Sequence, residues 1–268
     1  MAFKETAIVA RALTGAVLSV VVVLAARRTR TLSSSGALAG AMVGTICMAA
    51  GWNWGALLLS LFISSSALSR VGQARKASLV DSVVEKGSER DAGQVLANGG
   101  VFAVAALGQL ASPSPLWLAL GAGAIAASTA DTWATEIGTL SRAGPVSILS
   151  LKRVPAGTSG GVTALGNVAA AAGAAFIAAE ATLASWPVPF AAVAVGGMAG
   201  ALADSVLGAT VQARRWCEAC SASTERLVHT CGARTTHAAG LEGFDNDVVN
   251  AVCSAVGALV ALGMSRMA

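Results

Sequence analysis

Apolar residues in this chain are gathered into long runs, each ended by a short cluster of Pro, Gly, Trp or charged residues. Runs of about 18 or more apolar residues, wound as helix, match a hydrocarbon core about 30 Å thick. The pattern predicts eight spanning helices, at 6–26, 36–51, 53–69, 92–111, 116–138, 160–184, 188–212 and 247–265. The second and third are short and meet at Gly51-Trp52-Asn53, a tight turn flanked by Trp at the membrane interface. Ser112-Pro113-Ser114-Pro115 and Trp186-Pro187-Val188-Pro189 break the pattern in the same way. The expected fold is therefore all-α: a polytopic transmembrane helix bundle, with 1–268 as a single integral membrane domain.

The loops between these segments are of two kinds. Four of them, 27–35, 70–91, 139–159 and 213–246, hold 15 of the 18 Lys and Arg residues, and the three loops between hold none. Basic residues flank spans on the cytoplasmic side, so every second loop is expected to be cytoplasmic and both termini outside. The run from Thr6 to Ala26 is apolar enough to resemble a signal peptide. Arg27, Arg28 and Arg30 after it argue for a retained anchor.

Composition agrees with this class. Charged residues make up 12% of the chain, apolar residues 55%, and mean hydropathy is +0.69; a soluble domain carries about 25% charged residues. Abundant Gly and Ala suit close helix packing in lipid rather than the strands of a barrel. The net charge of +4 resides in topology-setting loops and is not a nucleic-acid signal. With no Tyr, an interfacial aromatic belt would have to be built from the six Trp.

Polar residues inside the apolar runs sit at one level, near the expected cytoplasmic ends. Gln94 and Asn98 open one helix above Asp91, and Ser128, Asp131 and Thr135 close the next, with Glu136 beside them. Thr163 and Asn167 open a third, Asp204 and Gln212 close a fourth, and Asp247, Asn250 and Ser254 open the last. Singly, such hydroxyls and amides serve as glue between helices. A carboxylate in the bilayer costs about 2.5–3.5 kcal/mol on insertion scales and needs a partner or a watery cavity. Asp131 and Asp204, with amides from three further helices, therefore predict a hydrated pocket open to the cytoplasm. Ala130-Asp131-Thr132 and Ala203-Asp204-Ser205 also echo one another, which suggests a duplicated helical hairpin.

Two loops could hold an anion. Lys152-Arg153-Val154-Pro155-Ala156-Gly157-Thr158-Ser159-Gly160-Gly161 leads into a helix, whose N-terminus would offer free N–H groups and a positive dipole end. It reads equally well as an ordinary Gly-rich helix start. The second is Glu85 to Asp91, with Lys86 and Arg90. Carboxylates facing phosphate sites suit Mg²⁺, and the combination suggests phosphoryl transfer. In the last basic loop, Cys217-x-x-Cys220 and His229-x-Cys231 have the spacing of a structural Zn²⁺ site, with free thiols as the other reading. Cys47 and Cys253, in apolar helices, read as packing residues.

Five segments together carry a family resemblance: Arg90 to Gly100, Ala130 to Gly138, Pro155 to Val162, Ala203 to Ala209 and Asn246 to Asn250. From roughly Leu32 to Gly257 the chain resembles the membrane family that includes plant phytyl-phosphate kinase and animal transmembrane protein 19. The Asp-bearing helix followed by a Gly-Thr loop is also similar, more loosely, to CTP-dependent phytol and dolichol kinases. The resemblance implies transfer of a γ-phosphate, from CTP, to an isoprenoid monophosphate such as phytyl or geranylgeranyl phosphate. On that reading Asp131 and Asp204 hold Mg²⁺ or orient the acceptor, with Glu136 as a third catalytic candidate. Phosphates fall to Lys152, Arg153, Gly157, Thr158, Ser159, Gly160, Gly161, Lys86 and Arg90. Gln94, Asn98, Thr135, Asn167, Asn246, Asp247 and Asn250 line the pocket. The expected partners are a nucleoside triphosphate, a prenyl phosphate and membrane lipid. Composition and the lack of a transit-like leader point to a bacterial plasma membrane. The rival reading is a small-molecule or lipid transporter or flippase using the intramembrane Asp residues. Its site should lie near the midplane, whereas the outer halves of these helices are almost purely apolar.

Overall fold

The computed structural model describes residues 2–80, 83 and 89–267. Eight long helices form where the apolar runs predict them: α1 (Ala2–Arg28), α2 (Ser34–Ala50), α3 (Trp52–Arg70), α5 (Ala92–Ala111), α6 (Pro115–Gly138), α7 (Ala164–Leu183), α8 (Phe190–Thr210) and α9 (Asn246–Ser265). A short helix, α4 (Gln73–Val80), follows α3. Side chains satisfy the amides that helix starts leave unpaired. Ser33 caps α2, Thr163 caps α7 and Asp245 caps α9, while Asp91 and Gln94 form a reciprocal capping box on α5.

Among the described residues the basic loops also carry two small antiparallel sheets that the all-α expectation did not include. One pairs β1 (Val146–Ser147) with β2 (Gly161–Val162). The other orders β4 (Ala222–Thr224), β3 (Arg214–Cys217) and β5 (Thr236–Ala239), with β3 in the centre.

The two kinds of loop gather at opposite ends of the bundle. At the basic end, the Ser33 amide donates to Arg90 O, Arg70 bonds Thr31, and the Glu225 amide donates to Val83 O. At the other end, Asn53 donates to Ala184 O, and Trp54 lies 4.8 Å from Trp186 and 4.9 Å from Phe102 between ring centroids. Trp54 and Trp186 are buried there, so they seal that end of the core instead of joining an interfacial belt; Trp52 is exposed.

Helix α6 is the axis. Every residue from Gly121 to Ala130 is buried, against α3, α5, α7, α8 and α9. Among the described residues, five helices, α1, α5, α7, α8 and α9, are long and apolar enough to cross a membrane. Counting α3 and α4, bent by 79°, as one span makes six. By this measure the expected eight is not reached. Helix α2 has only 17 residues. Helix α6 is long enough, but its polar second half is partly enclosed by protein and partly lines a cavity, and need not be apolar.

The helices around α6 touch through glycine. A side-chain carbon at Gly257 of α9 would lie 2.6 Å from Gly123 O and 2.5 Å from Ala127 Cβ, and one at Gly196 of α8 would lie 2.7 Å from Gly257 O. A polar knot sits beside this contact: Ser128 donates to Asn98 O at 2.8 Å and meets the Ser254 hydroxyl at 2.7 Å, joining α5, α6 and α9. Gly257→Leu is expected to destabilise the bundle by about 3 kcal/mol. Gly263→Leu, which meets open space, should change stability by less than about 0.5 kcal/mol. Denaturation in detergent or bilayers would measure both.

Candidate functional site

Helices α6 and α8 run in the same direction, with Ala126 against Gly197 and Ala127 against Gly200. One turn further towards the basic end, Asp131 and Asp204 come within hydrogen-bonding reach of each other. Asp204 Oδ2 is buried without a hydrogen-bond partner. The two Ala-Asp motifs therefore face each other across the interface. They line a cavity of about 430 Å³ that also takes in Thr135, Asn167, Asn246 and the whole loop from Ala156 to Gly161.

That loop is not the start of a helix. The predicted helix at 160–184 begins only at Ala164, and Thr163 already accepts the Gly166 amide at 2.9 Å. Gly160 has φ +76, and a side-chain carbon there would come within 2.5 Å of Ala209 Cβ and 2.7 Å of Ser205 O. A glycine is thus needed both for the turn and for the close contact with the end of α8. Ser147 pairs with Gly161 beyond it, so the segment is one arm of a hairpin. The connection between β1 and β2 folds back on β1 at Lys152 and Arg153: the Lys152 carbonyl accepts the Ser147 amide, Arg153 bridges Val146, and the Arg153 guanidinium donates to Ala143 O. Both side chains are exposed and neither lines the cavity. The phosphate-binding roles expected of them are not supported.

The cavity instead contains charged residues that the sequence reading passed over. Arg75, on α4, and Arg142, after α6, line it. So does Glu225, from the loop following β4, whose Oε1 accepts Ser159 Oγ at 2.5 Å and Gln212 Nε2 at 2.8 Å. Each lies in a polar loop or short amphipathic helix, where a charge is ordinary, so nothing in the sequence singled it out.

The remaining expected residues are placed elsewhere. Glu136 pairs with Lys76 at 2.5 Å, and Lys76 Nζ also donates to Leu68 O at 2.7 Å. This fastens α4 to α3 and α6 and places Glu136 in an anchoring ion pair outside the lining of the polar cavity. Arg90, Gln94 and Asn98 line a second, mostly apolar cavity of about 400 Å³, between α1, α2, α3 and α5, with Thr132 of α6 at its wall. Arg90 donates to Ser66 Oγ at 3.0 Å; burial lowers its pKa and nearby Glu136 opposes that shift. Gln94 is committed to the capping box, and Asn98 donates to Gln94 O. Asp247 lies close to Gly93, and Asn250 is buried; neither lines the polar cavity. Lys86 lies outside the described residues. Cys217, Cys220, His229 and Cys231 come together, with one ligand atom from each within 4.8 Å of the others. The Ala233 amide and His229 pull the Cys231 thiol down to about 6.

A helical bundle with spans of this length and apolarity, holding buried acids beside a glycine loop at its basic end, defines an integral membrane protein with a polar site. Residues 17–258 match the family described as integral membrane protein DUF92, and the chain belongs to that family, in agreement with the resemblance its motifs carry. It is 32% identical to Protein PGR of Arabidopsis thaliana, over 92% of this chain and 94% of that protein. An uncharacterized membrane protein of Methanocaldococcus jannaschii is 34% identical over 70% of this chain and 78% of its own length. One from Synechocystis is 29% identical, over 85% and 80%. No solved structure matches the chain.

Removing one partner of a buried ion pair costs about 3–5 kcal/mol. The Lys76 and Glu136 side chains are 10% and 21% exposed, so Lys76→Met should cost somewhat less, about 2–3 kcal/mol. Lys76→Met with Glu136→Gln should recover part of that loss, since no unpaired charge remains. A double-mutant cycle on detergent-solubilised protein would measure the coupling.

Proposed function

We propose that this protein is a membrane-embedded phosphotransferase that moves the γ-phosphate of a nucleoside triphosphate, CTP by family resemblance, to an isoprenoid monophosphate. The observation that carries the reading is the meeting of Asp131 with Asp204 in a cavity bounded by the Gly157–Gly161 loop and by Arg75 and Arg142. Two carboxylates so close repel each other unless a proton or cation lies between them. Asp204 Oδ2, buried and unbonded, is the kind of oxygen a hard divalent cation takes. Asp131 and Asp204 would hold Mg²⁺, which when bound neutralises charge on the phosphates.

The chain's own residues would do the rest. The Thr158 and Gly161 amides are already used in turns, donating to Pro155 O and Thr158 O. That leaves the amides of Gly157, Ser159 and Gly160 to meet phosphate oxygens, while Arg75 and Arg142 supply positive charge. An acceptor could lay its tail in the apolar cavity, with Arg90 near its phosphate. Asp131 and Thr132, adjacent on α6, line one cavity each, so that strip of α6 is where donor and acceptor would meet. In the transfer, the bond from the γ-phosphorus to its bridging oxygen breaks and one to an oxygen of the acceptor monophosphate forms. The products are a nucleoside diphosphate and a prenyl diphosphate. Catalysis of this type is mainly positioning and charge neutralisation. We place the basic end in the cytoplasm of a bacterial cell, which puts both termini outside and gives the site access to nucleotides.

Purified protein given CTP, Mg²⁺ and phytyl or geranylgeranyl monophosphate should form the diphosphate. Asp131→Asn should lower kcat by about 100-fold or more. Lys152→Ala should leave kcat/KM within about threefold, because surface substitutions away from the chemistry are nearly neutral. Absence of product from several prenyl phosphates and nucleotides would overturn the reading. Substrate-dependent flux across vesicles in its place would favour the transporter.

A further inference from the structure

We propose that Cys217, Cys220, His229 and Cys231 bind one zinc ion, and that this ion holds the β3–β4–β5 knuckle so that Glu225 is set into the acid-lined cavity. The donor set comes first. Three thiols and an imidazole, from two short sequence pairs, place their ligand atoms within 4.8 Å of one another. The Cys217 and Cys231 sulfurs are 3.7 Å apart. That is much too far for a disulfide, and close to the edge of about 3.8 Å that a tetrahedron with Zn–S bonds of about 2.3 Å requires. His229 is buried, its Nδ1 lies 3.3 Å from Cys231 Sγ, and its Nε2 has no hydrogen-bond partner. The ring is thus turned to the thiols, as a ligand would be.

The knuckle also needs a staple. Its strands are three or four residues long, and within them only Cys217 and Thr224 are buried. Small sheets with so little apolar burial are marginal alone, and a structural metal is a common remedy. The metal would bind at both ends of the knuckle: Cys217 and Cys220 at the β3–β4 turn, and His229 and Cys231 in the segment that leads to β5.

What the knuckle carries is the second half of the proposal. Cys217 pairs with Ala222 across the β3–β4 hairpin, which places Glu225 just past the end of β4. Thr224 Oγ1 and the Glu225 amide both donate to Val83 O, at 3.1 and 2.8 Å. The Glu225 carboxylate reaches Ser159 of the glycine loop and Gln212 at the end of α8. The zinc therefore acts through the hairpin as a positioning device for Glu225 and, through Ser159, for the loop itself. None of this requires a nucleotide, so it stands or falls separately from the proposed transfer.

The test uses full-length protein in detergent. Metal analysis should find about one zinc per chain, the stoichiometry of a four-ligand structural site, and Cys220→Ser and Cys231→Ser should each lose most of it. Cobalt added to chelated protein should give the thiolate charge-transfer bands of a tetrahedral site. Hydrogen exchange at the Glu225 amide should be fast in chelated protein and slow again once zinc is restored, while α8 and α9 amides stay unchanged. A protein that takes up neither zinc nor cobalt overturns the site. Bound zinc whose removal leaves Glu225 exchange unaltered overturns the positioning role.

Discussion

The close approach of α6 and α8 is the constraint on which the rest of the structure depends. Ala126 and Ala127 meet Gly197 and Gly200, and only residues this small let two helix backbones come so near in a bilayer. Farther along the same interface, that spacing forces Asp131 and Asp204 together. A bulkier seam would let each acid find its own solvent. The third helix of the contact, α9, closes on both through Gly257. The polar cavity, with its glycine loop and arginines, begins where this seam runs out of small residues.

Around that seam, the loops act as more than connections. Helix α4, tied down by Lys76 to Glu136, brings Arg75 to the rim. The β1–β2 hairpin presents Gly157–Gly161 from one side, and the β3–β4–β5 knuckle presents Glu225 from the other. The two meet at Ser159 and Glu225. The apolar cavity on the other side of α6 draws on different helices and carries Arg90 instead of a carboxylate pair. Such a division suits one polar ligand and one with an apolar tail.

Much of this was legible in the sequence. The eight long helices were readable because their apolar runs end at Pro, Trp or Arg clusters, and the two buried acids stood out against apolar neighbours. Helix α4 was missed because it is short and amphipathic within a polar loop. Lys152 and Arg153 misled because sequence adjacency to the glycine loop implied a shared face, whereas the chain folds back at Arg153 to bridge Val146 and leaves both side chains outside the cavity. Gln94 looked like an amide of the polar pocket, whereas it closes a helix start and lines the apolar cavity. Glu225 and Arg142 reach the cavity only through tertiary folding of loops, for which apolar periodicity carries no signal. Helix α6 falls short of a span by hydropathy, as the helix most enclosed by protein has the least need to be apolar.

The most direct measurement of the central claim is a double-mutant cycle on folding stability with Asp131→Asn, Asp204→Asn and both together. The two acids share a contact, so the cycle should show a coupling of about 1 kcal/mol or more. Single effects that add to within about 0.5 kcal/mol would mean that the two carboxyls do not meet, contradicting the site built on them.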